Sequence, residues 1–467
     1  MHQARRCCPE GLTVRLLCAS NLHLGRSTYG VPDHLGLDTS RFSMTAAWDA
    51  LVDIARTTPV DAVLIAGDLV DRENHRFEPL GPIERGLTTL ARHDIPVIVV
   101  AGDEDAETLR TIAEHDASGA FRFLGQDGGW ESTTITNDGG EQLIIAGWSA
   151  PGRGARSHPL HDLPSDWDRT GPDIVMLHGT STDDSDSGEV APVPLQRLGT
   201  LPGRLWITGA PISPWVEHLD GTAVLTPGSP SALGPLDTGT HGVWIADLSD
   251  SVIDLHQLPV AAVRFDQVSV DLTGASEIDN AESRLIEQLQ RTLDHAVSLD
   301  GGNHLAACCV HLTITGATTV FGELPARLHD LMQTIDLQQR GVIIAISSIT
   351  NETQPLIDLA TLLERADPVG ETARLLDALD HESVASIPSP WQDLVRRSAT
   401  RLNGVHRSRV FASIAGDGSL PPVGGESERG NPEPDLETAR ALLRREAWVT
   451  LDALVRQRGI DQEGWRG

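Results

Sequence analysis

Seven short apolar runs punctuate the chain up to about residue 260, and this repetition constrains the fold more than any other feature. They read VRLLCAS, DAVLIAG, IPVIVVAG, QLIIAGW, DIVMLHG, RLWITGA and GVWIADL. Runs of Val, Ile and Leu this short, bounded by Gly, Asp or Pro, predict buried strands. Between the first two, SRFSMTAAWDALVDIARTT carries apolar residues at helical spacing, with Ser40 or Ser43 available as the cap. LGPIERGLTTLARHD repeats that pattern between the second and third. Strand, helix, strand in repetition builds a layered α/β domain, assigned here to residues 12–260.

From Val263 the pattern changes to VRFDQVSVDL (strand), SEIDNAESRLIEQLQRTLDHAV (helix), HLAACCVHLTIT (strand), ELPARLHDLMQTI (helix) and GVIIAISSIT (strand). This β-α-β-α-β run predicts a smaller α/β cap domain over 261–352, followed by a helical region over 353–413 that includes DPVGETARLLDAL. The Gly/Pro/acidic stretch at 414–434 predicts a disordered linker, and an amphipathic helix over 435–459 ends the pattern, with Asp435 as its cap. Leu436, Ala439, Leu443, Ala447, Leu451 and Leu454 share one face of that helix. Such a stripe packs on its own protein or docks on a partner, and the pattern leaves both readings open.

Charge narrows the function classes. The 467 residues hold 66 acids against 36 bases, a net −30, and every base is arginine. A chain so acidic repels polyanions, which argues against a bare nucleic-acid binder, although a compositional bias of the whole proteome is the simpler origin. Cys7, Cys8, Cys18, Cys308 and Cys309 are odd in number and show no C-x-x-C spacing, so neither a disulfide framework nor a zinc knuckle is indicated. Cys308 and Cys309 read as packing residues in a strand, and Trp48 as core. No apolar run approaches membrane-spanning length and the first residues lack an apolar signal core, so a cytoplasmic protein is expected.

The polar residues fall at strand ends. The first strand leads to Asn21 and His23, the second to Asp68 and Asp71, the third to Asp103, Glu104 and Asp105, and MLHGT to His178. The carboxyl ends of strands in α/β sheets are where ligands collect, and carboxylates gathered with imidazoles are what a divalent ion needs. ITGAPISP, by contrast, ends its strand with nothing ionisable. The acidic stretch STDDSDSGE lacks the spacing of a calcium loop and reads as solvated surface.

The order HLGR, LIAGDLVDR, IPVIVVAGDED, MLHG and LTPGSP resembles the calcineurin-like metallophosphoesterases, and within them the SbcD-type DNA-repair exonuclease subunits. The likeness runs through the cap segment and DPVGETARLLDAL to the last helix. It implies a layered-sheet phosphoesterase domain that binds two divalent ions, usually manganese, bridged by Asp68. It further implies that Asn21 and His23 serve one ion and Asp103 and His178 the other, with Asp71 and Asp105 orienting the ligands from behind. The implied partners are an SbcC-like coiled-coil ATPase, DNA reached through that ATPase, and a second copy of the chain.

Several residues depart from the family pattern D-x-H, G-D-x-x-D, G-N-H-D, His, G-H-x-H. Asn21 stands where the pattern has Asp, Asp103 where it has Asn, and Glu104 where it has the His that assists the leaving group. Ala210 and Ile212 occupy both histidine positions of the last motif. His158, His161, His218 and His241 are the nearest substitutes, and none has the context of a ligand. The resemblance with these departures implies an SbcD-like member that has lost most or all hydrolysis and keeps a structural, partner-binding role. The alternative is an active divalent-metal-dependent exonuclease or phosphodiesterase with a remodelled site.

Overall fold

The computed structural model describes residues 14–71, 79–103, 105–137, 139–151, 159–160, 163–165, 167, 171–180, 193–249, 252–300, 304–381, 383–406 and 436–458. The chain divides into two compact units. The first comprises residues 1–266, 293–309 and 338–343, and the second residues 267–292, 310–337 and 344–467.

All seven apolar runs form strands. They are β1 (Val14–Ala19), β2 (Ala62–Ala66), β3 (Val97–Val100), β6 (Gln142–Trp148), β7 (Ile174–Leu177), β8 (Leu205–Thr208) and β11 (Gly242–Leu248). Five others complete the unit: β4 (Phe121–Phe123), β5 (Trp130–Thr136), β9 (Trp215–Leu219), β10 (Thr222–Thr226) and β12 (Ile253–Pro259). They make two six-stranded sheets, β12-β11-β1-β2-β3-β4 and β5-β6-β7-β8-β10-β9. The central strands run parallel in each, β1 to β4 in one and β6, β7, β8 and β10 in the other. Antiparallel strands close one edge of the first sheet and both edges of the second.

Alternate residues of the central strands point into two different cores, which is why the runs are apolar throughout. Leu16, Cys18, Leu64, Ile98 and Val100 meet Ile145, Ile174, Met176, Leu205 and Ile207 between the sheets. Leu17, Val63, Ile65, Val97 and Val99 face outward under helices α1 (Met44–Thr57), α2 (Leu80–Ala91) and α3 (Ala106–His115). Ser43 caps α1, its hydroxyl accepting from the Ala46 amide at 3.2 Å. The free thiol of Cys18 is fully buried, and burial raises its pKa far above the usual thiol range.

Trp48 of α1 is buried completely and donates its indole N–H to the Pro82 carbonyl at 3.1 Å. The ring lies on Gly86 of α2, where a Cβ would stand 2.6 Å from the indole.

The predicted β-α-β-α-β segment folds as β13 (Val263–Asp271), α4 (Ile278–Leu299), β14 (Ala307–Thr315), α5 (Leu324–Thr334) and β17 (Val342–Asn351). A short strand, β16 (Leu337–Gln339), joins them in a four-stranded sheet of order β13-β14-β17-β16. Two-residue strands β15 (Ala317–Thr318) and β18 (Gln354–Pro355) pair separately. Cys308 and Cys309 of β14 are free and buried, and burial pushes the Cys309 thiol up to about 12.

In the second unit, α6 (Pro368–Leu379), α7 (Ser389–His406) and α8 (Leu436–Gln457) pack together. The stripe on α8 is spent on its own protein. Ala447, Trp448, Leu451 and Val455 meet Val369, Ala373 and Leu376 of α6, whereas Leu436 remains exposed. The predicted linker 414–434 and Asp435 lie outside the described residues, as does the acidic stretch at 181–189.

Asp367 caps α6 by accepting from the Gly370 amide at 3.1 Å, and it also accepts from the guanidinium of Arg365 at 2.8 Å. The Arg365 hydrogen bond, the Gly370 amide and the charge of Arg458 hold its carboxyl down to about 2.

Two outcomes follow from this packing. Gly86→Ala gains roughly 1 kcal/mol of helix propensity but forces a methyl into the Trp48 ring, at a cost of about 1–3 kcal/mol. The net loss should appear as a lower denaturant midpoint with an unchanged slope. For Asp367 the folded pKa lies below the unfolded value of about 3.9, so its stabilisation is complete above that pH and vanishes as pH falls through about 2. Thermal melts of Asp367→Ala should therefore fall below wild type at pH 7 and converge with it between about pH 4 and 2.

Candidate metal centre

Three polar turns of the first unit zip together by backbone hydrogen bonds. The amides of Asn21, His23 and Leu24, just past β1, donate to the carbonyls of Gly67 (3.1 Å), Asp68 (2.8 Å) and Leu69 (3.0 Å), just past β2. The third turn, after β3, is tied in by one buried carboxylate. Asp105 accepts from the Leu69 amide through Oδ2 and from the Gly102 amide through Oδ1, each at 2.8 Å. Burial raises the Asp105 carboxyl to about 7, and the nearby charge of Asp68 adds to the rise, while His178 and the two amides oppose it.

Asn21, His23 and Asp68 have φ of 50°, 43° and 51°. Asn, Asp and His tolerate this left-handed region best among residues with a Cβ, and such strain persists where the surroundings over-determine it. Here the zipped backbone provides that constraint.

His178 crosses from β7 of the second sheet. Its ring lies on Gly67, where a Cβ would sit 2.1 Å from Nδ1. Nδ1 is 3.1 Å from the Ala66 carbonyl, which can only accept, so the proton resides there and Nε2 offers its lone pair. Nε2 lies 3.4 Å from Asp68 Oδ2, so the ring and the carboxylate can share a proton or a bound cation between them. Asp68 Oδ1 is buried without a hydrogen-bond partner. Asp68, Asp103 and His178 bring one ligand atom each to within 4.8 Å of one another, the one such group among the described residues. Two carboxylates and an imidazole suit a divalent ion, so these residues fit one.

His23 stands at the margin of that group. Its Nε2 is 4.0 Å from Asp68 Oδ2, and burial lowers its pKa against the pull of the Asp68 charge. Asp71 sits behind, fully buried and ion-paired with Arg26.

The two loop positions of the expected set carry no ligand side chain. Ala210 offers a methyl, and Ile212 packs its side chain against the outer core of the first sheet. Asn21, 1 % exposed, is tied to this loop: Nδ2 donates to the carbonyls of Gly209 and, at 2.9 Å, Pro211. Gly209 is pressed so close to β2 that a Cβ would lie 1.6 Å from the Ala66 carbonyl oxygen. Among the substitute histidines, His241 faces carbonyls with both nitrogens (Ser229 at 2.9 Å, Asp237 at 3.2 Å), and His218 lies exposed on edge strand β9. Glu104, His158 and His161 lie outside the described residues. Among the described residues, no second cluster of three His, Cys, Asp or Glu ligands lies beside the first.

Sequence reasoning had no means of weighing Gly67, Gly209, Ser229 or Arg26. Each acts through a neighbour distant in the chain, and the only local signal was a glycine or arginine beside a motif.

Residues 15–209 match the family model for the calcineurin-like phosphoesterases. No curated protein matches the chain. Among solved structures, TT1561 of Thermus thermophilus is similar at 17% identity over 53% of this chain and 99% of its own, with a TM-score of 0.33. The calcineurin-like phosphoesterase YfkN from Bacillus subtilis is similar at 12% identity over 62% of this chain and 99% of its own, with a TM-score of 0.35. A dimetal phosphatase from Danio rerio gives 12% identity over 52% and 95%, with a TM-score of 0.35. By the family match and its paired-sheet architecture, the domain built on residues 15–209 has the calcineurin-like phosphoesterase fold.

Proposed function

We propose that this chain is a cytoplasmic SbcD-type subunit that has lost efficient two-ion phosphodiester hydrolysis, holds a single divalent ion, and acts through its partners. The observation that carries the reading is the pair Ala210 and Ile212, alkyl side chains in the places where the resemblance requires two imidazoles. A lone ion held by Asp68, Asp103 and His178 would supply Lewis acidity to a bound phosphoryl oxygen and lower the pKa of a water. The clamp on both the attacking and leaving oxygens, which needs two ions, is missing. Altering groups that merely support ligands costs about 10–100-fold, and losing two ligands outright costs more. The partner role rests on the full-length likeness to SbcD-type subunits, which act with an SbcC-like coiled-coil ATPase. With a net charge of −30, contact with DNA falls to that partner, and a second copy of the chain completes the assembly.

A second reading, an active exonuclease with a remodelled site, is favoured by Asp103. It brings a carboxylate into the ligand group where the family pattern has an amide, and so restores the charge given up at Asn21.

Manganese loading followed by desalting and elemental analysis should find about one ion per chain, falling to none in Asp68→Ala and His178→Ala. Linear duplex DNA, single-stranded DNA and bis(p-nitrophenyl) phosphate should turn over no faster with wild type than with Asp68→Ala. Two ions per chain with robust turnover that Asp68→Ala abolishes would establish the second reading instead.

A further inference from the structure

The amide of Asn21 lies where four chain segments converge. Its backbone N–H donates to Gly67 beyond β2, and its backbone carbonyl lies 3.0 Å from the Ser229 hydroxyl, whose one proton it shares with the Ser231 carbonyl at 2.6 Å. Its side-chain NH2 donates to the carbonyls of Gly209 and Pro211, with the Ser20 hydroxyl 3.3 Å away. Carbonyl oxygens only accept, so these contacts fix which end of the amide is nitrogen. The loop is tied from its far side too, because the Ser229 amide donates to the Ile212 carbonyl at 2.8 Å.

We propose that Asn21 is a hydrogen-bonded replacement for the second ion: its NH2 cross-links the turn after β1 to the loop at 209–211 and holds this half of the crevice closed without metal. The inference rests on the reading above that no second ion binds here. In a two-ion centre, bonds from an ion to histidines on this loop would provide the link. In this chain the loop presents carbonyls, an alanine and an isoleucine, and the one side chain able to bind two carbonyls at once is an amide.

Asn21 and the 209–212 loop are therefore one coupled change rather than separate losses. An aspartate at position 21 would set carboxylate oxygens against two carbonyl oxygens in a buried space where the nearby Ser20 hydroxyl is already donated to the Gly228 carbonyl at 3.1 Å. An alanine would leave both carbonyls unpaired. Asn21 is thus a positioning residue for the crevice.

The test is thermal unfolding in EDTA, where neither metal content nor turnover contributes. Asn21→Ala should lower the melting temperature by about 3–6 °C and Asn21→Asp by about 5–10 °C, and saturating manganese in EDTA-free buffer should restore neither. If Asn21→Asp does not fold, exchange of the Asn21 side-chain NH2 protons in the wild type in EDTA decides the matter: protection of at least roughly tenfold over a free amide is expected. Melts of both variants indistinguishable from wild type, unprotected NH2 protons, or an Asn21→Asp protein that manganese makes more stable than wild type would overturn the proposal. Two bound manganese ions with rapid DNA hydrolysis would defeat the functional reading without altering melts in EDTA. Melts insensitive to residue 21 would defeat this inference alone.

Discussion

The imidazole of His178 rests on Gly67 and donates its Nδ1 proton to the Ala66 carbonyl, and the geometry of the whole centre depends on that contact. It joins the two sheets at the ends of β7 and β2, where no side chain is available at Gly67 to keep them apart. It also sets the tautomer, so that Nε2 faces Asp68 as an acceptor. A ring held in this way by a backbone carbonyl keeps Nε2 facing Asp68, whose other carboxylate oxygen has no hydrogen-bond partner, so both remain available to a cation.

The rest of the centre is held by backbone, not by ligands. Asp105 bridges the turns after β2 and β3 with two buried N–H bonds, and the turn after β1 is laced to Asp68 and Leu69 by main-chain amides. A crevice built this way keeps its shape when ligands are lost. That is why Ala210 and Ile212 can occupy ligand positions in a well-packed domain, with Ile212 contributing to an apolar core. The fold and the chemistry of such a domain are separable.

Much of the fold was legible because it rests on periodicity. The seven apolar runs had to be strands: they are too short for helices and apolar on both faces. Between them, a capped pattern with Trp48 on its buried stripe had to be a helix. What periodicity could not reveal were edge strands such as β5 and β9, whose half-exposed residues carry no continuous apolar signal. The stripe on the last helix was ambiguous for a related reason. A face of Ala and Leu does not specify what covers it, and Trp448 and Val455 against α6 answered that only in three dimensions.

At the centre, sequence alone named the residues, since carboxylates and imidazoles at strand ends mark a ligand crevice whatever the details. It also determined the losses, because an alanine and an isoleucine have no lone pairs in any conformation. Only the tertiary structure decided how the remainder divides: Asp68, Asp103 and His178 converge within reach of one ion, and Asn21 is drawn into hydrogen bonds with Gly209 and Pro211. An amide donates through its nitrogen whatever its oxygen does, and which groups receive that donation depends on what stands opposite, here some 190 residues away in the chain.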